Sequence, residues 1–500
     1  MLPFIVREVM QLTDRDKVAH LLRRFGFGAS EAELDYYSKN GLSGAINLLL
    51  EYEKVEDVFT FNPMEWANQQ RVVNLRVMQG LYAARMICTL RPLEEKMTLF
   101  WHNHFATSSS KVENSYVMAN HIEMLRTNAM GKFGTLLEAA SKDVAMIYWL
   151  DAQENVVGQA NENFAREVME LFTLGIGHYS EQDVQEAARA FTGWTYGGGI
   201  RARGDAPNRN DRYVFVPNRH DGGPKRVLGA EGRLTGEDVL KTLCQQEQTS
   251  KFITTKLWSW FAYENPEEAV VNRISKAFRE SDLDIKVLVR AVMEAPEFYS
   301  EKAVRRVIKN PIDFVVSTVR QLGLGQQIIE RIKDGIANPI VNEQNGLNIK
   351  LTRALGPAFA VHSSATSMGM ELMTPPDVSG WRTGSYWITS ATMVERMKWA
   401  DKLFATAFAP GGGGGGGGIQ NRNPQVGFQA FDVIGDAPSA AAAVDTLLSL
   451  FDVKISDAKK KGLLEAATPH FGTRLNQRSA NDLAKAVCKL VFSSPEFQVC

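Results

Sequence analysis

Apolar residues recur with helical spacing along most of this chain. Leu21, Leu22 and Phe25 share one face within residues 14–52, which read as two or three short helices with Thr13 or Asp14 as N-cap. Residues 64–105 read as long helices that end at Trp101-His102-Asn103-His104-Phe105. Residues 113–128 and 131–150 give two more, with Gly131 as the breaker. Residues 161–174 form a helix closed by Gly175 and Gly177. Ser180-x-x-Asp183 has the form of a capping box and starts a helix running to about 193. Between 195 and 235 glycine, proline and arginine dominate, and Tyr213-Val214-Phe215-Val216 is the best strand in the chain. Helical patterning resumes over 236–335 and again over 438–500.

The expected fold is mainly α: a large multi-helical body with a small irregular β excursion near 195–235. Its parts are an N-terminal helical part (1–194), the irregular insertion (195–235), a second helical part (236–409), a Gly-rich tether (410–430) and a C-terminal helical segment (431–500) that packs on the body. Residues 336–350 are loop-like, and 375–390 form an aromatic loop rich in Pro and Gly. The eight-glycine run at 411–418 cannot form a packed element and reads as flexible. One internal echo stands out. Residues 289–298 and 487–497 both read as a helix stopped by Pro-Glu-Phe.

Composition narrows the classes. At 500 residues, 44% hydrophobic and 23% charged, the chain can bury a sizeable core. The net charge of -1 gives no basic excess, so no nucleic-acid partner is expected. The arginines at 201, 203, 209, 212 and 219 read as a solvated loop. Cys88, Cys244, Cys488 and Cys500 lie far apart and form no CxxC pair, which argues against a disulfide framework or a thiolate zinc site. No stretch approaches a membrane span, and the N-terminal apolar run is too short for a signal-peptide core, so the chain as it stands reads as cytoplasmic.

Candidate chemistry centres on residues 161–175, where polar and apolar side chains interleave, so some charges must face inward. Buried charge is costly unless it is paired or holds a ligand. Glu162, Arg166 and Glu170 share one helical face; Asn163, Glu167 and Glu170 share the next. Glu167 and Glu170 are candidate bases, Arg166 and Lys225 candidate anchors for an anionic group, and Asn161, Glu162 and Asn163 candidate ligand contacts. The Glu-x-x-His signature of di-iron bundles is absent, since Thr173 follows Glu170 at i+3. His102 and His104 would chelate together on a strand or loop, but on an ideal helix they point some 200° apart. His220-Asp221 lies in a Gly/Pro loop with Lys225 and offers two more metal-binding groups. Trp381 and Trp387 lie in the aromatic loop, and Trp194 follows Thr192-Gly193; each could stack on a flat ligand or seal the core. His121 and His362 read as core or surface residues. A nucleophile elbow, Walker loop, dinucleotide fingerprint and His-Glu-x-x-His are all missing.

At these motifs the chain resembles the domain of unknown function 1800 family, a group of large bacterial proteins. The matching segments are residues 20–28, residues 100–105, residues 161–175 and Tyr179-Ser180-Glu181-x-Asp183-Val184. Further matches are Phe191-Thr192-Gly193-Trp194, His220-Asp221-x-Gly223-x-Lys225, Pro375-Pro376-x-Val378-x-Gly380-Trp381 and Ser494-Pro495-Glu496-Phe497. The resemblance implies a mostly helical fold, frequent export, and a sulfatase-like protein as genomic neighbour and candidate partner. It implies no reaction.

Two functions follow. In the first, the end of the helix bearing His102 and His104, the Glu167/Glu170 face and the His220-Asp221 loop converge on one pocket, and the chain is an enzyme, with a divalent metal held by His102, His104, His220 and Asp221. In the second, the chain is a non-catalytic binding or assembly protein, and the same residues form a buried structural network. Convergent unpaired carboxylates and imidazoles favour the first; saturated pairs favour the second.

Overall fold

The computed structural model describes residues 12–59, 74–197, 212–342, 346, 348–404 and 426–500. The eight-glycine run, the arginines at 201, 203 and 209 and the N-terminal apolar run lie outside the described residues. The chain is mainly α, and its strands make two small two-stranded sheets among the described residues. No helix there is long and apolar enough to cross a membrane.

Three helices open the chain: α1 (Asp14–Phe25), α2 (Glu31–Ser38) and α3 (Gly41–Leu50). Thr13 and Ser30 cap the first two with reciprocal bonds to Asp16 and Glu33. Next come α4 (Leu75–Cys88), α5 (Pro92–His104), α6 (Ser115–Thr127), α7 (Phe133–Ser141) and α8 (Val144–Trp149). Pro92 starts α5 at the first helical position, where its missing N–H costs nothing. Of the residues in α5, only Glu94 and Asn103 escape burial. A helix enclosed on all sides must be met by neighbours on all sides.

The 161–174 helix holds a surprise. It is α-helical only over α9 (Asn163–Glu167) and widens into a π-helix over Val168–Thr173. Leu174 N–H reaches back five residues to the Met169 carbonyl, and the Thr173 hydroxyl donates to Val168 O at 2.6 Å. Gly175 and Gly177 then stop the helix at φ near +85°. Helix α10 (Glu181–Ala190) begins at the Ser180–Asp183 capping box.

The irregular segment forms two hairpins. Strand β1 (Trp194–Gly197) pairs antiparallel with β2 (Arg212–Phe215), with Trp194 opposite Phe215. Strand β3 (Lys225–Val227) pairs with β4 (Ala230–Gly232) across Leu228 and Gly229, both at positive φ, as the tightest hairpin turn requires. The second helical part contains α11 (Gly236–Gln245), α12 (Glu247–Phe261), α13 (Glu268–Glu280), α14 (Ile285–Met293), α15 (Pro311–Gln321), α16 (Gly325–Ala337), α17 (Ile349–Ala354), α18 (Gly356–Ser367) and α19 (Ser390–Leu403). The last part contains α20 (Ala440–Leu450), α21 (Asp457–Ala467) and α22 (Gln477–Ser493), ending in the single turn Pro495–Gln498.

One hydrophobic core runs from Val18 to Phe497. The Pro-Glu-Phe echo is a shared stop: each helix ends in a short turn that buries its phenylalanine. Phe298 packs on Phe25 and His20, and Phe497 on Phe492 and Phe314.

Buried charges tie the helices together. Glu95 on α5 has no exposure and accepts two bonds from the Arg126 guanidinium, at 2.7 and 2.9 Å. Arg85 approaches the same carboxylate at 3.0 Å. Its neighbour Lys96 pairs with Asp313 of α15. Replacing Glu95 with Ala leaves Arg126 with Glu123 alone and Arg85 with Asp57 alone, and should lower stability by about 3 kcal/mol, read as a drop in the urea midpoint. Cutting the exposed Arg15–Glu31 pair with Glu31→Ala should leave that midpoint nearly unchanged.

Candidate functional site

Helical geometry separates the two histidines of α5. His104 faces the π-helix. Its Nε2 lies 3.1 Å from the Phe172 carbonyl, which can only accept, so Nε2 carries the proton. Nδ1 then accepts from Lys256 Nζ of α12 at 3.3 Å, and Lys256 also donates to Leu171 O at 3.1 Å. Gln248 donates to Leu174 O at 3.0 Å. A helix end leaves carbonyls without partners. Here α5 and α12 supply the donors, and both ring nitrogens of His104 are engaged. Burial, followed by the nearby Lys256 charge, pushes His104 well below the usual imidazole range.

His102 faces the opposite way. Its Nε2 accepts the Met373 N–H at 3.1 Å, which leaves the proton on Nδ1. The His121 ring of α6 stands 6.3 Å away, centre to centre. His121 Nδ1 donates to Asp143 Oδ1 at 2.8 Å, and that same oxygen caps α8. His102 Nδ1, His121 Nε2, Tyr82 Oη and Trp381 Nε1 are buried and have no partner among the described residues. Trp381 packs beside these rings, its ring 5.0 Å from His102. Its backbone N–H donates to Asn103 Oδ1 at 2.7 Å. Gly380, at φ +85°, lies so close that a Cβ there would fall 2.3 Å from Asn103 O.

The carboxylates of residues 161–175 lie near the surface. Arg166 pairs with Glu162 at 3.0 Å and with Glu181 of α10 at 2.7 Å. Those charge-assisted bonds, Glu181 first, raise the Arg166 guanidinium above its ordinary value. Glu170 leaves that ladder because the wider π-turn breaks the i, i+4 row, and it accepts from the Tyr179 hydroxyl at 2.5 Å. Glu167 is half-buried and has no hydrogen-bond partner among the described residues. Burial, then the Glu170 charge, raises its carboxyl above the usual range. Asn161 accepts from Asn163 N–H, and Asn163 donates to Leu150 O, so both shape the start of the helix. Trp194 is buried behind it against Phe164 and Phe191.

The His220-Asp221 loop folds onto the end of α10. Gly193, at φ +84°, makes the turn; a Cβ there would fall 2.8 Å from Val216 O. His220 Nδ1 donates to Thr192 O at 3.0 Å. Arg189 grips Asp221 at 2.8 Å and holds its carboxyl down at about 2. Lys225 is buried and donates to the carbonyls of Asp221 and Gly223.

Thus the structure brings His104 to the end of the π-helix, and His220 and Asp221 to α10. Among the described residues no group of three or more His, Cys, Asp or Glu side chains is placed to hold a metal ion. A family model described as Protein of unknown function (DUF1800) matches residues 20–499. The chain belongs to this family. No curated protein and no solved structure matches it.

Several segments that carry the DUF1800 resemblance meet in space. Residues 100–105 meet 375–381 through Asn103 and Trp381, and residues 191–194 meet 220–225 through Thr192 and His220. Sequence reasoning missed Lys256, Tyr179, Arg189 and Asp143. The one available signal was Lys256 itself, a cation set among Phe252, Leu257, Trp258 and Trp260.

Burial pulls the Lys256 ammonium down to about 8 from its ordinary 10.5. Between those values the folded chain holds a neutral amine while the unfolded chain is still protonated, so stability rises with pH across that window. Lys256→Met should remove part of that rise. Urea midpoints followed from below pH 8 to above pH 10 test this; equal slopes in the two proteins would refute it.

Proposed function

We propose that this chain is a non-catalytic binding or assembly protein whose polar motifs serve the fold. One observation carries the reading: each nominated charge except Glu167 already has a partner within the chain. Arg166 is taken by Glu162 and Glu181, Asp221 by Arg189, Glu170 by Tyr179, and Lys225 by two carbonyls. Two of the nominated metal ligands are already engaged within the chain. His104 has no free nitrogen. His102 could offer Nδ1 only by moving its proton to Nε2, against the Met373 N–H. The partner implied by the resemblance is a sulfatase-like protein encoded beside this one. Co-elution of the two after co-expression supports that pairing, and separate elution removes it.

A second reading rests on Glu167. A half-buried carboxylate with a raised pKa beside a second carboxylate has the form of a general acid or base. In that reading Glu167 and Glu170 do the proton transfer, while Arg166, fixed by its two carboxylates, sets the local charge.

Elemental analysis of the purified protein beside a His102→Ala/His220→Ala double variant separates these readings from a metalloenzyme. The expected result is no bound metal in either protein, even after supplementation. Near-stoichiometric metal that the double variant loses would overturn the proposal. Glu167→Gln should fold as stably as the parent or slightly more so, because it removes one of two adjacent like charges; a lower melting temperature would show that Glu167, too, serves the fold.

A further inference from the structure

A second site lies far from the motif helix in sequence. Residues 23–28 of α1 and the turn after it, residues 305–317 at the start of α15, Asp452 beyond α20 and the closing turn at 496–500 line a small cavity of about 20 Å³. It opens beside a groove of about 510 Å³ that shares Arg23, Gln321 and Asp452 with it. Three observations set it apart.

The first is charge. Arg23 and Arg305 share the single Asp452 carboxylate, each at 2.6 Å. Asp313 is already held by Lys96, and Glu496 by Lys459. Lys309 is buried and no carboxylate among the described residues lies within reach of it; its Nζ sits 3.7 Å from the centre of the Phe497 ring. Counted over the side chains, each wall carboxylate with the cation it already holds, two positive charges are left over, one from the Arg23–Arg305 pair and the one on Lys309; Asp452 and Cys500 offset the Lys309 charge only in part. The Lys309 charge is buried, and an unpaired buried charge is unfavourable until an anion arrives. Burial also pulls Lys309 down to about 8, which shows how poorly compensated it is.

The second is backbone strain. Phe27, Arg305 and Asp452 all have positive φ, at 62°, 55° and 52°. Such conformations cost energy in non-glycine residues and gather at ligand clamps and active sites. Here the strained residues present the arginine and the aspartate to the same small space.

The third is shape. A volume of about 20 Å³ is little more than one or two water positions, which suits the two oxygens of a planar carboxylate better than the four of a tetrahedral oxyanion. The groove outside joins apolar walls from Leu34, Val433, Leu448, Leu450 and Val453 to the polar Thr446 and Ser449 and to Glu31 and Lys454, which are paired with Arg15 and Asp16. That suits an extended, mostly apolar body.

We propose that this cavity and groove bind a small amphipathic carboxylate, its head between Lys309, Arg23 and Arg305 and its body along the groove. The site stands whether or not the motif helix is catalytic.

The test uses the full chain and three eight-carbon probes, octanoate, octanamide and octyl phosphate, with binding measured by calorimetry. Octanoate should bind at least about tenfold tighter than the other two. Lys309→Met should weaken octanoate by about tenfold or more and leave octanamide unchanged. That variant should keep its fold, because it removes a buried ammonium that has no carboxylate partner. Thr446→Trp, which fills the groove and leaves every cation in place, should abolish binding of all three. Equal affinity for octanoate and octanamide would overturn the proposal, as would tighter binding of the phosphate, unchanged octanoate affinity in Lys309→Met or Thr446→Trp, or no binding at all.

Discussion

A helix enclosed on every side has to satisfy the ionisable groups it buries, and α5 buries four. Glu95 is met by α4 and α6, Lys96 by α15, His102 by the backbone at Met373, and His104 by the π-helix and α12. Each partner comes from a different element, so these bonds together fix where the surrounding helices stand. Apolar packing supplies the bulk of the stability, but it is non-directional. A buried ion pair or a tautomer-specific bond tolerates few arrangements, and its loss is costly because the remaining group has no water to turn to. The interior of this protein is therefore positioned largely by a short list of polar contacts along one helix.

The π-helix is best understood as part of that arrangement. Widening the turn over Val168–Thr173 shifts Glu170 away from Arg166 and toward Tyr179, and presents successive carbonyls to His104, Lys256 and Gln248. π-turns recur at functional sites, and this one lies beside the only nominated carboxylate that lacks a partner among the described residues, Glu167. The packing side of that helix is saturated and its outer side is not.

Much of the local structure was legible in the sequence. Thr13 and Ser180 announced their helices because a cap is a contact within three residues. The opposite aims of His102 and His104 followed from their spacing alone. The Glu162–Arg166 pair was visible, but Glu181 as its third member was not, since it belongs to the next helix. The π-turn was invisible because its carbonyls are satisfied from α12, more than seventy residues away. The cationic cavity left no motif, since its walls come from residues 23 to 500 and only folding brings them together.

Helix α1 has an unusual dependence on distant chain. His20 bonds to the backbone 278 residues on, Arg23 to a carboxylate 429 residues on, and Arg24 to a thiol 476 residues on. During synthesis α1 emerges early, yet His20 waits for residue 298, and Arg23 and Arg24 complete their surroundings only when residues 452 and 500 are available. Such non-local contacts also slow folding, because the entropy of closing a long loop is lost before any contact compensates. Until then α1 exposes an apolar face flanked by unpaired cations. A helix made early is thus among the last to settle, its polar side chains held in waiting by the order in which the chain is read out.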